Sequence, residues 1–221
     1  ILAAGLTWRQ VNLLRVYARY MKQILFGFSQ TFISDTLFKH KDIGQLLVKF
    51  FEARMSPIET SVDYAGLSQD IAGALDEVSL LNEDRVLRRI FELIQASLRT
   101  NYFQHDREEA PRSYLSIKFD PGAISDLPLP RPRFEIFVCA PTFEGVHLRG
   151  GEIARGGLRW SDRHEDYRTE ILGLMKAQVV KNGVIVPTGA KGGFIIKSHN
   201  GEVDPIGSYK SFISGLLDLT D

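Results

Sequence analysis

The sequence predicts an α+β fold: an N-terminal helical region, residues 1–112, followed by the start of a mixed-sheet α/β domain, residues 113–221. Three observations carry this. Apolar residues recur at three- and four-residue spacing as far as Leu98, short β-branched and aromatic runs broken by proline and glycine begin after Pro111, and helical and strand patterns alternate from Tyr167 onward.

Thr7 and Gln10 have the spacing of a capping box, and Val11, Leu14, Tyr17 or Ala18, and Met21 continue on one face of a first helix. A second helix is expected from Asp42 to Met55, where Leu46, Leu47, Phe50 and Phe51 form an apolar stripe and Pro57 marks the boundary. A third runs from Tyr64 to Val78. Asn82 is a good N-cap for a fourth, with Glu83 and Asp84 in its first turn and Val86, Leu87, Ile90, Phe91, Ile94 and Leu98 on its apolar face. Tyr114–Phe119 and Phe134–Ala140 read as strands, with the proline-rich Leu127–Pro132 between them. Val146–Leu148 and Glu152–Ala154 read as the arms of a hairpin whose turn places Gly150 and Gly151 at positive φ. Tyr167–Val180 returns to helical spacing, with Gly183 as its C-terminal stop. Val184–Val186 and Phe194–Ile196 are expected as strands on either side of a glycine-bearing turn that holds Lys191. Asp204 and Pro205 offer N-cap and first helical residue for a last helix through Leu217.

Composition narrows the function classes. Hydrophobic residues at 44% and charged residues at 24% of 221 positions match ordinary globular usage, which excludes collagen-like, coiled-coil and disordered chains. The 27 Lys+Arg balance 27 Asp+Glu, so no net field favours nucleic acid or a membrane surface as partner. No apolar run approaches the roughly 18 residues of a membrane span, and the expected setting is cytoplasmic. The single cysteine, Cys139, rules out an internal disulfide and reads as a packing thiol. His40, His105, His147, His164 and His199 lack metal-ligand spacing, so no metal is expected, and they read as surface or hairpin residues. The chain opens at Ile1 without a methionine and closes at Asp221 directly after a helical pattern, which reads as part of a longer protein.

Charge is uneven locally. From Val146 to Lys197 nine cations face five anions, an excess of four, and the same segment is rich in glycine. Glycine beside cations suits a loop that approaches an anionic small molecule, and a solvated basic face with tight turns is the alternative. Gly189-Ala190-Lys191-Gly192-Gly193 is not a phosphate-binding loop, because glycine rather than serine or threonine follows the lysine. No Gly-x-Gly-x-x-Gly turn is present to bind a dinucleotide. Lys176 and Arg168 read as solvated positions paired with Glu165 and Glu170. Arg159 and Trp160 either line a pocket or stack by a cation–π contact.

Arg155-Gly156-Gly157-Leu158-Arg159-Trp160, then Lys181-Asn182, then Pro187-Thr188-Gly189-Ala190-Lys191-Gly192-Gly193 occur in the order found in amino-acid dehydrogenases. The set covers about forty residues and resembles the substrate domain of glutamate dehydrogenases, most closely the very large NAD-dependent bacterial type. The resemblance implies a parent enzyme that oxidatively deaminates L-glutamate to 2-oxoglutarate and ammonium with NAD, which a domain outside this chain would bind, and a homo-oligomeric assembly. It makes Lys191 the catalytic lysine, which moves protons as water attacks the iminium left by hydride transfer. Lys181 then meets the α-carboxylate, Arg155 holds the side-chain carboxylate where smaller enzymes use lysine, and Gly156, Gly157, Gly192 and Gly193 let the backbone close around the substrate. The family's catalytic aspartate finds no counterpart here, so the isolated chain is expected to be silent. The alternative is a non-catalytic regulatory or scaffold module that binds an anionic metabolite or a partner helix through residues 7–103.

Overall fold

The structure, a computed structural model, describes residues 5–58, 62–106, 108–182, 187–197 and 204–220. Helices precede a mixed sheet, so the fold is α+β as expected. The chain divides into two compact units: a helical one, drawn from residues up to Lys22 with Phe26–Gln95, and a sheet unit of Gln23–Leu25 with the chain from Ala96 onward.

In the helical unit α1 (Trp8–Gln23) opens on the expected capping box. Gln10 N–H donates to Thr7 Oγ1 at 3.3 Å, and Thr7 N–H donates back to Gln10 Oε1 at 2.9 Å. An additional helix, α2 (Gln30–Lys39), is capped by Ser29, whose hydroxyl accepts from Phe32 N–H. Its serine, threonines and aspartate give it little helical periodicity, and only Ile33, Thr36 and Leu37 are buried. The expected second and third helices are α3 (Lys41–Met55) and α4 (Tyr64–Asp76), the latter capped by Asp63. Then α5 (Leu81–Gln95) starts a residue before Asn82, which therefore lies inside the first turn rather than at the N-cap. Glu83 is mostly buried there and accepts from Lys39 Nζ at 2.8 Å, with His40 Nε2 at 2.7 Å. The helix also stops short of Leu98, because Arg54 caps the Gln95 carbonyl at 3.0 Å and the next residues join the sheet.

The sheet begins with an antiparallel run, β1 (Ser97–Thr100), β2 (Leu115–Phe119), β3 (Phe134–Cys139) and β4 (Phe143–Arg149). Next come β5 (Ala154–Arg155), β6 (Leu158–Trp160), the helix α6 (Tyr167–Asn182), β7 (Thr188–Ile196) and α7 (Pro205–Leu217). β7 pairs antiparallel with β4 on one side and parallel with β5 and β6 on the other. Arg155↔Gly189 and Leu158↔Gly192 share one register, so β5 and β6 are a single strand interrupted at Gly156 and Gly157. A parallel return needs a crossover, and α6 supplies it.

Two expectations fail here. Val146–Leu148 and Glu152–Ala154 do not form a hairpin, because the free edge of β4 is taken by seven register pairs to β7 and Ala154 pairs with Thr188 instead. Gly150 and Gly151 lack positive φ; a Cβ on Gly150 would stand 2.9 Å from Val179 Cγ2, so the glycine is needed for close approach. Nor does Lys191 sit in a turn. Thr188–Ile196 is one continuous strand, and its glycines serve neighbours rather than chain reversal. The expected strand at Val184–Val186 and the Gly183 stop lie outside the described residues.

The side chains alternate across β7. Gly189, Lys191 and Gly193 face α6, since a Cβ on Gly189 would meet Val179 N at 2.7 Å and one on Gly193 would meet Ile171. The other face carries α7, capped by Asp204 with Pro205 in the first turn as expected. There Tyr114, Ile136, Val138, Phe143, Phe194, Ile196 and Phe212 form a continuous core. Every residue of β2 is buried. The α7 side tolerates no added volume: a Cβ on Gly145 would lie 2.5 Å from Phe212 Cε2 and 2.9 Å from Phe194 Cβ. Gly145→Ala should therefore lower stability by about 1–3 kcal/mol in a denaturant melt. Gly173, inside α6 with open space around its Cβ position, should behave oppositely, Gly173→Ala gaining about 0.8–1 kcal/mol.

Candidate functional site

The interrupted strand and β7 bring most of the expected residues together. Gly157 carbonyl accepts from Gly192 N–H at 3.1 Å, and the Cβ position of Gly157 lies 3.8 Å from Lys191 Nζ. Gly156 is held against the Ala190 carbonyl, where any side chain would collide with backbone. Arg155 stands beside Gly189, two positions before Lys191 on the adjoining strand. Gly192 and Gly193 follow Lys191 along β7, with Leu158 closing over the first and Ile171 over the second. Lys181 arrives separately, in the last turn of α6, exposed.

Ion pairing sorts the cations of this segment. Arg159 meets Glu170 at 2.7 Å, Arg163 pairs with Asp166, and Lys197 meets Glu144 at 3.2 Å. Arg149 donates to the Glu152 carbonyl. Arg168, expected in solvent, is instead 1% exposed and pairs with the fully buried Glu135. Its sequence neighbours are acidic, but the partner lies on β3, and Glu170 is taken by Arg159 and Ser161. Among the described residues Arg155, Lys176, Lys181 and Lys191 have no such partner. Three of these four are the residues assigned to carboxylate binding and catalysis. Lys176 is exposed, as expected.

Two residues at this place carry no sequence signal of their own. Gln178 Oε1 is buried without a hydrogen-bond partner among the described residues, 2.9 Å from the Cβ position of Gly156. Its spacing of three from Lys181 on α6 was the available clue, since such pairs share a helix face. His147 is the other. It is no hairpin residue: it lies within β4, opposite Gly192, with Cδ2 3.0 Å from that glycine's Cβ position. Burial, helped by Arg149, pushes its imidazole down to about 4, so the ring is neutral at pH 7. Trp160 is 53% exposed and, with Leu158, Phe194, Pro205, Ile206 and Tyr209, borders an apolar groove of about 340 Å³ on the α7 face. The partner of Arg159 is Glu170 rather than this ring. Among the described residues no three His, Cys, Asp or Glu converge on a metal position, and no helix is long and apolar enough to cross a membrane.

Residues 70–221 match the family described as bacterial NAD-glutamate dehydrogenase, catalytic domain. The chain belongs to that family. Residues 1–57 match glutamate dehydrogenase, helical motif 3. The chain is 54% identical over 230 residues to the NAD-specific glutamate dehydrogenase of Halomonas elongata, with all of the chain and 14% of that protein covered. It is 53% identical to the Pseudomonas aeruginosa protein of the same name over 234 residues, again 100% of the chain and 14% of the relative. The Mycobacterium tuberculosis protein of that name is 48% identical over 238 residues, 100% of the chain and 15% of its own length. The chain thus spans about one seventh of these bacterial relatives.

His147, on the α7 face of the sheet, sets a pH dependence of stability. His147 has a folded value of about 4 against 6.5 for the free side chain, so between these values the unfolded chain binds a proton that the folded chain does not. Stability should fall as pH drops from about 6.5 to about 4, by up to about 3 kcal/mol from this group, and level off below. Thermal melts of the chain and of a His147→Asn variant across that range should differ in slope, the variant being the flatter.

Proposed function

We propose that this chain forms the amino-acid side of a bacterial NAD-dependent glutamate dehydrogenase, the whole protein converting L-glutamate, water and NAD to 2-oxoglutarate, ammonium, NADH and a proton. One observation carries the reading. Lys191 is half-buried on β7 against the Gly156–Gly157 break, with no carboxylate beside it among the described residues, and this is the lysine of the motif set. Desolvating an ammonium group without a counter-ion is costly, and a dianionic substrate supplies one.

The roles follow from chemistry. Arg155, exposed at the strand edge, offers a planar fork to the side-chain carboxylate, and Lys181 from the end of α6 takes the α-carboxylate. Gln178 adds an acceptor directed at Gly156, suited to an N–H of substrate or backbone. Gly157 leaves room beside Lys191 for the substrate, while Gly156, Gly192 and Gly193 let the Ala190 carbonyl, Leu158 and Ile171 close in around it. Lys191, as the free amine after its own proton has passed to solvent, then takes a proton from the attacking water and returns it to the departing ammonia. NAD is the oxidant of the whole protein in this reading, in keeping with the relatives' names. Among the described residues no glycine-rich strand-to-helix turn fits a dinucleotide, so no residue here is assigned to it. The family match supports this reading over a regulatory or scaffold module. A homo-oligomeric, cytoplasmic whole protein belongs to the same proposal.

In a 2-oxoglutarate titration followed by NMR, the chain should show saturable shifts at β7 and α6 that disappear in Lys181→Ala. Absence of binding to the whole protein would overturn the assignment. In the whole protein Lys191→Ala should reduce kcat by about 10²–10⁴-fold with a smaller change in KM. The isolated chain should not oxidise NADH with 2-oxoglutarate and ammonium, and turnover by it alone would contradict the division of labour proposed here.

A further inference from the structure

The buried ion pair between Arg168 and Glu135 has no part in the chemistry above, yet it is the most costly polar feature of the sheet unit. Arg168 Nε donates to Glu135 Oε1 at 2.7 Å and Nη2 to Oε2 at 2.6 Å, with the side chains 1% and 0% exposed. Removing both charges from water costs several kcal/mol per ion before their attraction is counted, and well-packed apolar substitutes are often as stable or more so. Stability alone therefore explains the pair poorly. Its geometry is more informative. A two-bond fork fixes the roll of the helix as well as its distance from the sheet.

α6 needs such a device. Burial defines one face over its first half, through Tyr167, Ile171, Leu172 and Met175, while Val179 and Val180 beyond them are exposed, so the end that carries Gln178 and Lys181 owes little of its placement to burial. The first turn is pinned by four further bonds. Gln23 Oε1 accepts from Arg168 N–H at 3.2 Å, Gln23 Nε2 donates to the Glu165 carbonyl at 3.2 Å, and Glu170 receives Ser161 and Arg159. Roll matters at the other end. The α6 backbone touches β7 at Gly189, Gln178 reaches Gly156, and Lys181 follows within a turn. A roll of about 20° would move a side-chain tip at the helix's outer radius of about 5–6 Å by about 2 Å. Glu135, Leu148 and Lys191 are also register partners across β3, β4 and β7 on the face that α6 covers, so the anchor and the lysine share one row of the sheet.

We propose that Arg168 and Glu135 are positioning residues that set the roll of α6 and, through it, the placement of Gln178 and Lys181 over β7. The inference rests on the dehydrogenase reading for its kinetic consequence only. The test uses the whole protein that contains this chain, with an Arg168→Met/Glu135→Leu double variant and an Arg168→Lys single variant. The double variant should melt at the same or a higher temperature while losing at least about ten-fold in kcat/KM for glutamate, through both a raised KM and a lowered kcat. Arg168→Lys, which keeps the charge and loses the fork, should retain part of the activity. Unaltered kcat and KM in a folded double variant would overturn the proposal, and if that variant does not fold, Arg168→Lys decides by the same comparison. A structure of whichever variant folds reads the roll without turnover: the Gln178–Gly156 and Val179–Gly189 contacts should be displaced, and finding them unchanged would overturn the proposal. Should the unmodified protein show no glutamate-dependent NAD reduction, the dehydrogenase reading falls, while these contacts still decide the roll.

Discussion

Everything in the sheet unit depends on how closely other backbones approach β7. Gly189, Gly192 and Gly193 remove side chains from a nine-residue strand, which lets α6, β6 and β4 come nearer than ordinary residues would permit. Glycine weakens a strand by its conformational freedom, so the arrangement is held from outside, by pairing on both edges and a helix on each face. The result is a lysine on a strand with neighbours along both edges, where side-chain geometry is easier to keep than in a loop.

Much of this was legible in the sequence, and the parts that were not share a cause. Helices with a clear apolar stripe, caps such as Thr7 and Asp204, and the strands around Ile117 and Phe137 follow local rules and are where those rules put them. Motif order singled out Lys181 and Lys191, and among the described residues neither has a carboxylate partner. What failed was non-local. Arg149-Gly150-Gly151 carries every mark of a hairpin turn, yet a strand some forty residues later outcompetes the local arm for the edge of β4. Similarly, Gly189–Gly193 reads as a turn because isolated glycines mark turns, whereas here they mark crowding.

The charges divide along the same line. In the Arg149–Lys197 segment five of the nine cations are satisfied by carboxylates or carbonyls, and for Arg159, Arg168 and Lys197 the acid stands on another element, which no count of sequence charge could show. Glu135 is the clearest example: an acid on a strand of otherwise apolar character, invisible until its guanidinium partner arrives from a helix. Subtracting the satisfied pairs turns a diffuse basic excess into four cations, Arg155 and Lys191 beside one glycine break and Lys176 and Lys181 on α6.

The two-sided pairing of β7 has a consequence for how the molecule is built. β2, β3 and β4 follow one another through short connections and can assemble from nearby chain, whereas Phe143↔Ile196 and Leu158↔Gly192 close long loops. Loop closure must precede any gain from those contacts, so the meander should acquire amide protection first and β7 last in pulsed hydrogen-exchange refolding. The lysine thus reaches its setting only as the last ladder zips, and a nascent chain released before Ile196 would expose an unsatisfied edge of β4, the kind of template that recruits other strands into aggregates.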